Sequence, residues 1–180
     1  MLSNTTNHIN VLYLNYVDIM FDYGIRMGFS EDAVMDAIHN VFQRLLEKKS
    51  PLDIENEKSY LIKSVRNELI NESQRVQNLD STEDGDLPFS ITVNIEEMLI
   101  DADFENTIQK KIQHVLKTLT PRQREIIYLR YTGNYSYAEI AEILQISIPA
   151  CRNLILKALK ELRKHGSTFF YLMIYLNHKN

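Results

Sequence analysis

The sequence predicts an all-α fold: two small helical domains joined by an acidic linker. Three observations carry this reading. Apolar residues recur at three- and four-residue steps in segment after segment, which is the spacing of one helix face. Strand signals are weak, the best being Ser90 to Val93. Between Val76 and Gln109 there is no Lys or Arg, while Asp80, Glu83, Asp84, Asp86, Glu96, Glu97, Asp101, Asp103 and Glu105 supply nine acids. The implied boundaries are residues 1–75, a linker over 76–106, a second domain over 107–166 and a short apolar tail over 167–180. A chain of 180 residues with 44% hydrophobic content is long enough for two small cores.

Residues 1–10 read as a loose polar start. From Val11 to Met27 the apolar and aromatic positions are dense enough for a helix, with Gly24 and Gly28 weakening its end. Ser30 is a good N-cap for the next helix, and Glu31 and Asp32 suit its positive end. That helix buries Ala33, Val34, Ala37, Ile38, Val41, Phe42, Leu45 and Leu46 and shows Asp36, His39, Asn40 and Gln43 on its opposite face. Ser50-Pro51 marks a break. A third helix runs from about Glu57 to Gln74, with Leu61, Val65 and Leu69 inward and Lys63, Arg66, Asn67, Asn71 and Arg75 on the remaining surface. This basic face fits two readings, a solvated surface or a cationic groove for melted strands.

The linker reads as a self-repelling spacer on its residues alone, the sharper alternative being a strand of negative charge that imitates nucleic acid. Asp84-Gly85-Asp86 and Leu87-Pro88 are turn material. After it, Ile108, Ile112, Val115, Leu116 and Leu119 form one more amphipathic helix.

Leu119 to Lys164 has the build of a helix-turn-helix. Thr120-Pro121-Arg122-Gln123 is a capping box with proline at the first helical position. Gly133 is placed to end that helix in a left-handed conformation. Ser136-Tyr137-Ala138-Glu139 is a second capping box, opening a short helix with Ile140, Ala141 and Leu144 inward. Gln145-Ile146 makes the turn, and Ser147 caps the last helix. Its buried stripe is Cys151, Leu154 or Ile155, Ala158, Leu159 and Leu162. Its outer face shows Arg152, Asn153, Lys157, Lys160, Arg163 and Lys164.

A helix fits the major groove, and its first turns meet the base edges. Pro149, Ala150, Arg152 and Asn153 are then candidate readers. Arg152 suits guanine, Asn153 adenine, and Ala150 a thymine methyl. Lys157 and Lys160 suit phosphate, and the amides at Tyr137 and Ala138 suit a phosphate oxygen. The bland alternative is a helical hairpin with a solvated basic face.

Other functions are poorly supported. The net charge of −4 points to uneven charge or a partner's help for a DNA binder. The lone cysteine, Cys151, excludes an internal disulfide and reads as a small core residue. His8, His39, His114, His165 and His178 show no metal-ligand spacing, and no Gly-rich phosphate loop or nucleophile motif is present. No enzyme, cofactor, metal or small-molecule substrate is expected. The opening residues are polar and the apolar run Phe169 to Leu176 is too short to span a bilayer, so a cytoplasmic protein without membrane insertion is expected. That run either folds back on the second domain or forms a partner surface.

Taken together, these residues resemble the bacterial sigma factors of the sigma-70 family. The likeness is to their short two-domain extracytoplasmic-function (ECF) form, and in particular to the iron-citrate-type group of Bacteroidetes. It covers about Val11 to Lys164. Asp36-Ala37-Ile38-His39-Asn40-Val41-Phe42 is similar to the family helix that docks on the polymerase β′ subunit, with His39 in place of the usual Gln. The resemblance implies that Asp36, His39, Asn40 and Gln43 face core RNA polymerase, which such factors bind through its β′ and β subunits. Tyr60 to Asn71 is similar to the helix that holds the melted minus-ten strand, with Tyr60 where many members have Trp. This implies single-strand contacts from Lys63, Arg66, Asn67, Asn71 and Arg75. Leu119 to Lys164 looks like the domain that reads the minus-thirty-five element, which implies that Tyr137, Ser147, Pro149, Ala150, Arg152, Asn153, Lys157 and Lys160 meet DNA. Gln145 stands where Gly is usual, and a left-handed Gln costs about 1 kcal/mol relative to Gly.

On that resemblance the domains are a sigma region 2-like bundle and a sigma region 4-like helix-turn-helix. The expected function is to direct core polymerase to promoter DNA and assist its melting, with an anti-sigma factor as a further partner. The resemblance also raises the nucleic-acid-mimic reading of the linker. The competing expectation is a stand-alone helix-turn-helix regulator. The opening Leu119 to Glu125 also resembles quorum-sensing-type output domains, but the front half lacks the alternating strand–helix pattern of a ligand or phosphoacceptor domain.

Overall fold

The computed structural model describes residues 2–47, 54–77, 87–92 and 102–178. Those residues are helical almost throughout, and the fold is all-α. The helices are α1 (Leu2–Arg26), α2 (Glu31–Glu47), α3 (Glu57–Gln77), α4 (Ala102–Lys117), α5 (Pro121–Ile127), α6 (Tyr137–Ile143), α7 (Ile148–Arg163) and α8 (Ser167–His178). A π-helical turn, Tyr128–Thr132, extends α5. The chain divides into two compact units, Met1–Pro88 with Glu142–Leu144, and Phe89–Ala141 with Gln145–Asn180.

In the first unit α1, α2 and α3 each pack on the other two. Leu12, Met20 and Tyr23 of α1, Val34, Ile38, Val41 and Leu45 of α2, and Leu61, Val65 and Leu69 of α3 form the core. Tyr13 meets Phe42 edge-on at 5.0 Å between ring centroids. The α2 stripe is the expected one, except that Leu46 is exposed and Ala33 half-buried. Ser30 caps the helix by accepting from the Ala33 amide at 3.3 Å. Asn56 does the same for α3, accepting from the Ser59 amide at 3.1 Å.

One detail of α1 departs from the sequence expectation. The helix already runs from Leu2, because Ile9 is buried one turn before Leu12 and extends the apolar stripe backwards. Gly24 lies in the last turn of the helix, which ends at Arg26. A Cβ there would stand 2.7 Å from both Val34 methyls and 3.2 Å from Leu69. The glycine is what lets the three helices approach so closely.

In the second unit Ile108, Ile112, Val115, Leu116 and Leu119 are buried as their spacing predicts. Helix α4 begins at Ala102, so its first turn falls in the stretch read as linker. Part of the remaining linker is also packed. Phe89 and Ile91 are buried, and the Phe89 ring lies 5.5 Å from that of Tyr128. The backbone of this piece is tied down as well. Arg124 Nε donates to the Phe89 carbonyl, and Gln113 Nε2 donates to that of Ile91 at 3.2 Å. Residues 78–86 and 93–101, which hold most of the acidic residues of that stretch, lie outside the described residues.

The tail is a helix. α8 packs on α4 and on the π-helical turn, with Leu172 and Leu176 fully buried. Of the two readings the sequence left open, folding back on the second unit is the one observed. No helix among the described residues is long and apolar enough to cross a membrane.

Candidate nucleic-acid interface

The helix-turn-helix is assembled by three side-chain caps. Thr120 accepts from the Gln123 amide at 3.2 Å, and the Gln123 side chain accepts from the Thr120 amide at 2.9 Å. Glu139 accepts from the Ser136 amide at 2.7 Å, and Ser136 accepts from the Glu139 amide at 3.3 Å. Ser147 accepts from the Ala150 amide at 3.3 Å and starts α7, with Pro149 in its first turn.

The turn between α6 and α7 is built as expected at Gln145, which adopts φ 53°. The Ile146 amide donates back to the Ala141 carbonyl at 2.9 Å. The end of α5 is built differently from the expectation. Gly133 has φ −81°, and the left-handed residue is Asn134 at φ 56°. The reason is the π-helical turn, which closes with the Gly133 amide on the Tyr128 carbonyl at 2.9 Å and shifts the reversal by one residue. Gly133 is needed for space. A Cβ there would lie 2.5 Å from the Tyr135 ring, which is folded beneath it and buried.

Helix α7 separates its two faces cleanly. Cys151, Ile155, Ala158 and Leu162 are buried, so Ile155 and not Leu154 carries the inner stripe. Burial pushes the Cys151 thiol above its ordinary pKa, against the opposing pull of Arg130 and Arg152. Ser147, Pro149, Ala150, Arg152, Asn153, Lys157 and Lys160 are all exposed. These residues, which the sequence singled out, are open to solvent, while Tyr137 is half-buried.

Two further residues belong to this surface. Leu156 is 63% exposed, one turn beyond Arg152, and breaks the basic face with an apolar side chain. Arg130, on the π-helical turn, donates to the Tyr135 carbonyl at 2.8 Å. Its guanidinium carbon stands 5.0 Å from the centroid of the half-buried Tyr137 ring, and that of Arg152 stands 5.5 Å from the same ring. Helical periodicity gives no hint of this grouping, because three different elements supply it. Nearby, burial raises the Tyr131 hydroxyl above its ordinary pKa, with a further push from Tyr137.

The first unit has a separate polar face. Asp36, His39, Asn40 and Gln43 are exposed along α2. Asn40 donates to Glu68 of α3 at 3.1 Å, and Arg44 pairs with the other oxygen of that carboxylate at 2.6 Å. Gln43 donates to Glu47 at 3.0 Å. On α3, Asn71 and Arg75 are exposed, and Lys63 and Asn67 are half-buried. Arg66 departs from its expected place on this surface: it is 1% exposed. Ser59, Ile62 and Ile70 are buried with it, which makes a second inward stripe beside Leu61, Val65 and Leu69. The helix is therefore covered over a wider arc than the first stripe suggests, and Arg66 falls inside that arc.

Residues 109–162 match the family model described as Sigma-70, region 4. The matched segment covers less than half of the chain. It holds most of α4, all of α5 and α6, and α7 up to its last residue. The chain is also 38% identical over 87 residues to an RNA polymerase sigma-C factor of Nostoc sp. (strain PCC 7120 / SAG 25.82 / UTEX 2576). That alignment takes in 46% of this chain and 20% of the relative, so the match spans about a fifth of the relative's length.

Proposed function

We propose that this chain is an RNA polymerase sigma factor of the sigma-70 family, in the ECF form and the iron-citrate-type group. In this reading it binds core polymerase through its β′ and β subunits, places it at specific promoters and assists melting, with no covalent chemistry of its own. It works in the cytoplasm under the control of an anti-sigma factor. Its domains are a region 2-like bundle, an acidic connecting stretch, the region 4 domain and the C-terminal helix. The observation that carries the reading is the coincidence of the region 4 match with a capped helix, α7, whose polar and basic face is exposed.

The roles are those the resemblance implies, and the chemistry of the side chains suits them. Arg152 and Asn153 suit base edges, and Ala150 suits a thymine methyl, with Ser147, Pro149 and Tyr137 beside them. Lys157 and Lys160 suit phosphates. Lys63, Asn67, Asn71 and Arg75 suit the melted minus-ten strand, where binding to extruded bases offsets unstacking. The burial of Arg66 argues for a structural role there instead. Asp36, His39, Asn40 and Gln43 suit a polar docking face for the polymerase.

Co-elution with sigma-free core polymerase in gel filtration tests this reading. A stoichiometric complex, weakened by Asp36→Lys, is the expected result. No complex, alongside sequence-specific binding of the free chain to duplex DNA, would favour the stand-alone regulator.

A further inference from the structure

Arg152 is a long side chain on an exposed helix face, and such a side chain usually loses conformational freedom when it binds a base. Here it is not left to wander. Its guanidinium carbon lies over the Tyr137 ring, 5.5 Å from the centroid, within cation–π range. Tyr137 in turn has a fixed base. It is the first residue of α6, and the Ser136–Glu139 capping box pins the backbone on both sides of it. The ring is half-buried and holds a second guanidinium, Arg130, at 5.0 Å. Arg130 is itself anchored to the Tyr135 carbonyl at 2.8 Å, within two residues of that ring.

We propose that Tyr137 is a positioning residue for sequence reading: its ring, which Arg130 also meets, holds the Arg152 guanidinium in place before DNA arrives. The proposal rests on α7 being the base reader. It changes the role of Tyr137 from a DNA contact to a residue that acts through Arg152. The contact needs an aromatic face and not the phenolic hydroxyl. Phenylalanine at this position keeps the function, and an aliphatic residue loses it. The energy at stake is that of one cation–π contact at a surface, so the effect on discrimination is about 2- to 5-fold.

Two measurements on the full-length chain test it. In the free protein, the Arg152 side-chain resonances in NMR carry a ring-current shift. The shift is expected to vanish in Tyr137→Leu and persist in Tyr137→Phe, with unchanged thermal melting in both. An unshifted Arg152 in the wild type, or a shift that survives Tyr137→Leu, overturns the proposal. In the second measurement, wild type and variants select from a random duplex library. Tyr137→Leu is expected to lose preference at the same base pairs as Arg152→Ala, while Tyr137→Phe retains it. Tyr137→Leu is expected to add nothing in the Arg152→Ala background. Wild-type selection with full preference kept in Tyr137→Leu, or with additive losses, overturns the positioning role alone. No selected motif in the wild type, despite the ring-current shift, overturns the reading of α7 as a base reader and the proposal with it.

Discussion

Helices α3 and α7 carry their basic residues in different ways. On α7, Arg152, Lys157, Lys160 and Arg163 all lie on the exposed side, opposite a single stripe of Cys151, Ile155, Ala158 and Leu162. On α3, Arg75 is exposed and Lys63 half-buried, but Arg66 is inside. The difference lies in how many faces are covered. A helix with one buried stripe gives every cation to solvent. A helix buried along two neighbouring stripes takes in whatever falls between them, and a guanidinium there becomes part of the core's construction. A basic residue on an amphipathic helix is therefore a candidate for nucleic acid only once the width of the buried arc is known.

The sharpest way to break this contrast is to truncate one arginine from each helix. Arg66→Ala should lower stability by about 2–4 kcal/mol, since it opens a cavity where a fully buried side chain stood. Denaturant unfolding of the full chain reads this. Arg152→Ala should stay within about 0.5 kcal/mol of the wild type in the same assay. Its cost should fall on DNA, at about 1–3 kcal/mol of discrimination at one base pair. Equal destabilisation by both would end the distinction.

Backbone crowding offers a second comparison between the two units. Gly133→Ala would drive a Cβ into the Tyr135 ring, and Gly24→Ala would meet both Val34 methyls. Each should cost about 1–3 kcal/mol through overpacking, measured by thermal melting. A neutral Gly133→Ala would mean that the ring can slide away and that the turn does not depend on it. The smallest effect is expected at the helix-turn-helix turn. Gln145→Gly should raise stability by up to about 1 kcal/mol, because it relieves the left-handed backbone at φ 53°.

Much of the second unit was legible in the sequence, because short-range chemistry specifies it. Thr120 with Gln123, Ser136 with Glu139, and Ser147 are caps within three residues, and all three form. The left-handed turn at Gln145 was equally local. What the sequence does not display depends on contacts distant in the chain or on a change of helix type. Phe89 and Ile91 sit in an acidic stretch that reads as a spacer, yet they pack in the second unit, and Arg124 and Gln113 hold their carbonyls. The π-helical turn moved the left-handed residue from Gly133 to Asn134. The grouping of Arg130, Tyr137 and Arg152 draws on three elements, so no single periodicity displays it. Arg66 lies inside although Leu61, Val65 and Leu69 already account for one face, because Ile62 and Ile70 form a second beside it.

In vitro transcription tests the central claim most directly. This chain, added to sigma-free core polymerase with pooled genomic fragments from a related bacterium, should produce discrete starts that share two spaced upstream motifs. Arg152→Ala should relax the upstream motif at one base pair, and Lys63→Ala should weaken opening at the downstream motif. Starts no different from those of core polymerase alone, with a chain that is folded and bound to that polymerase, would contradict the account.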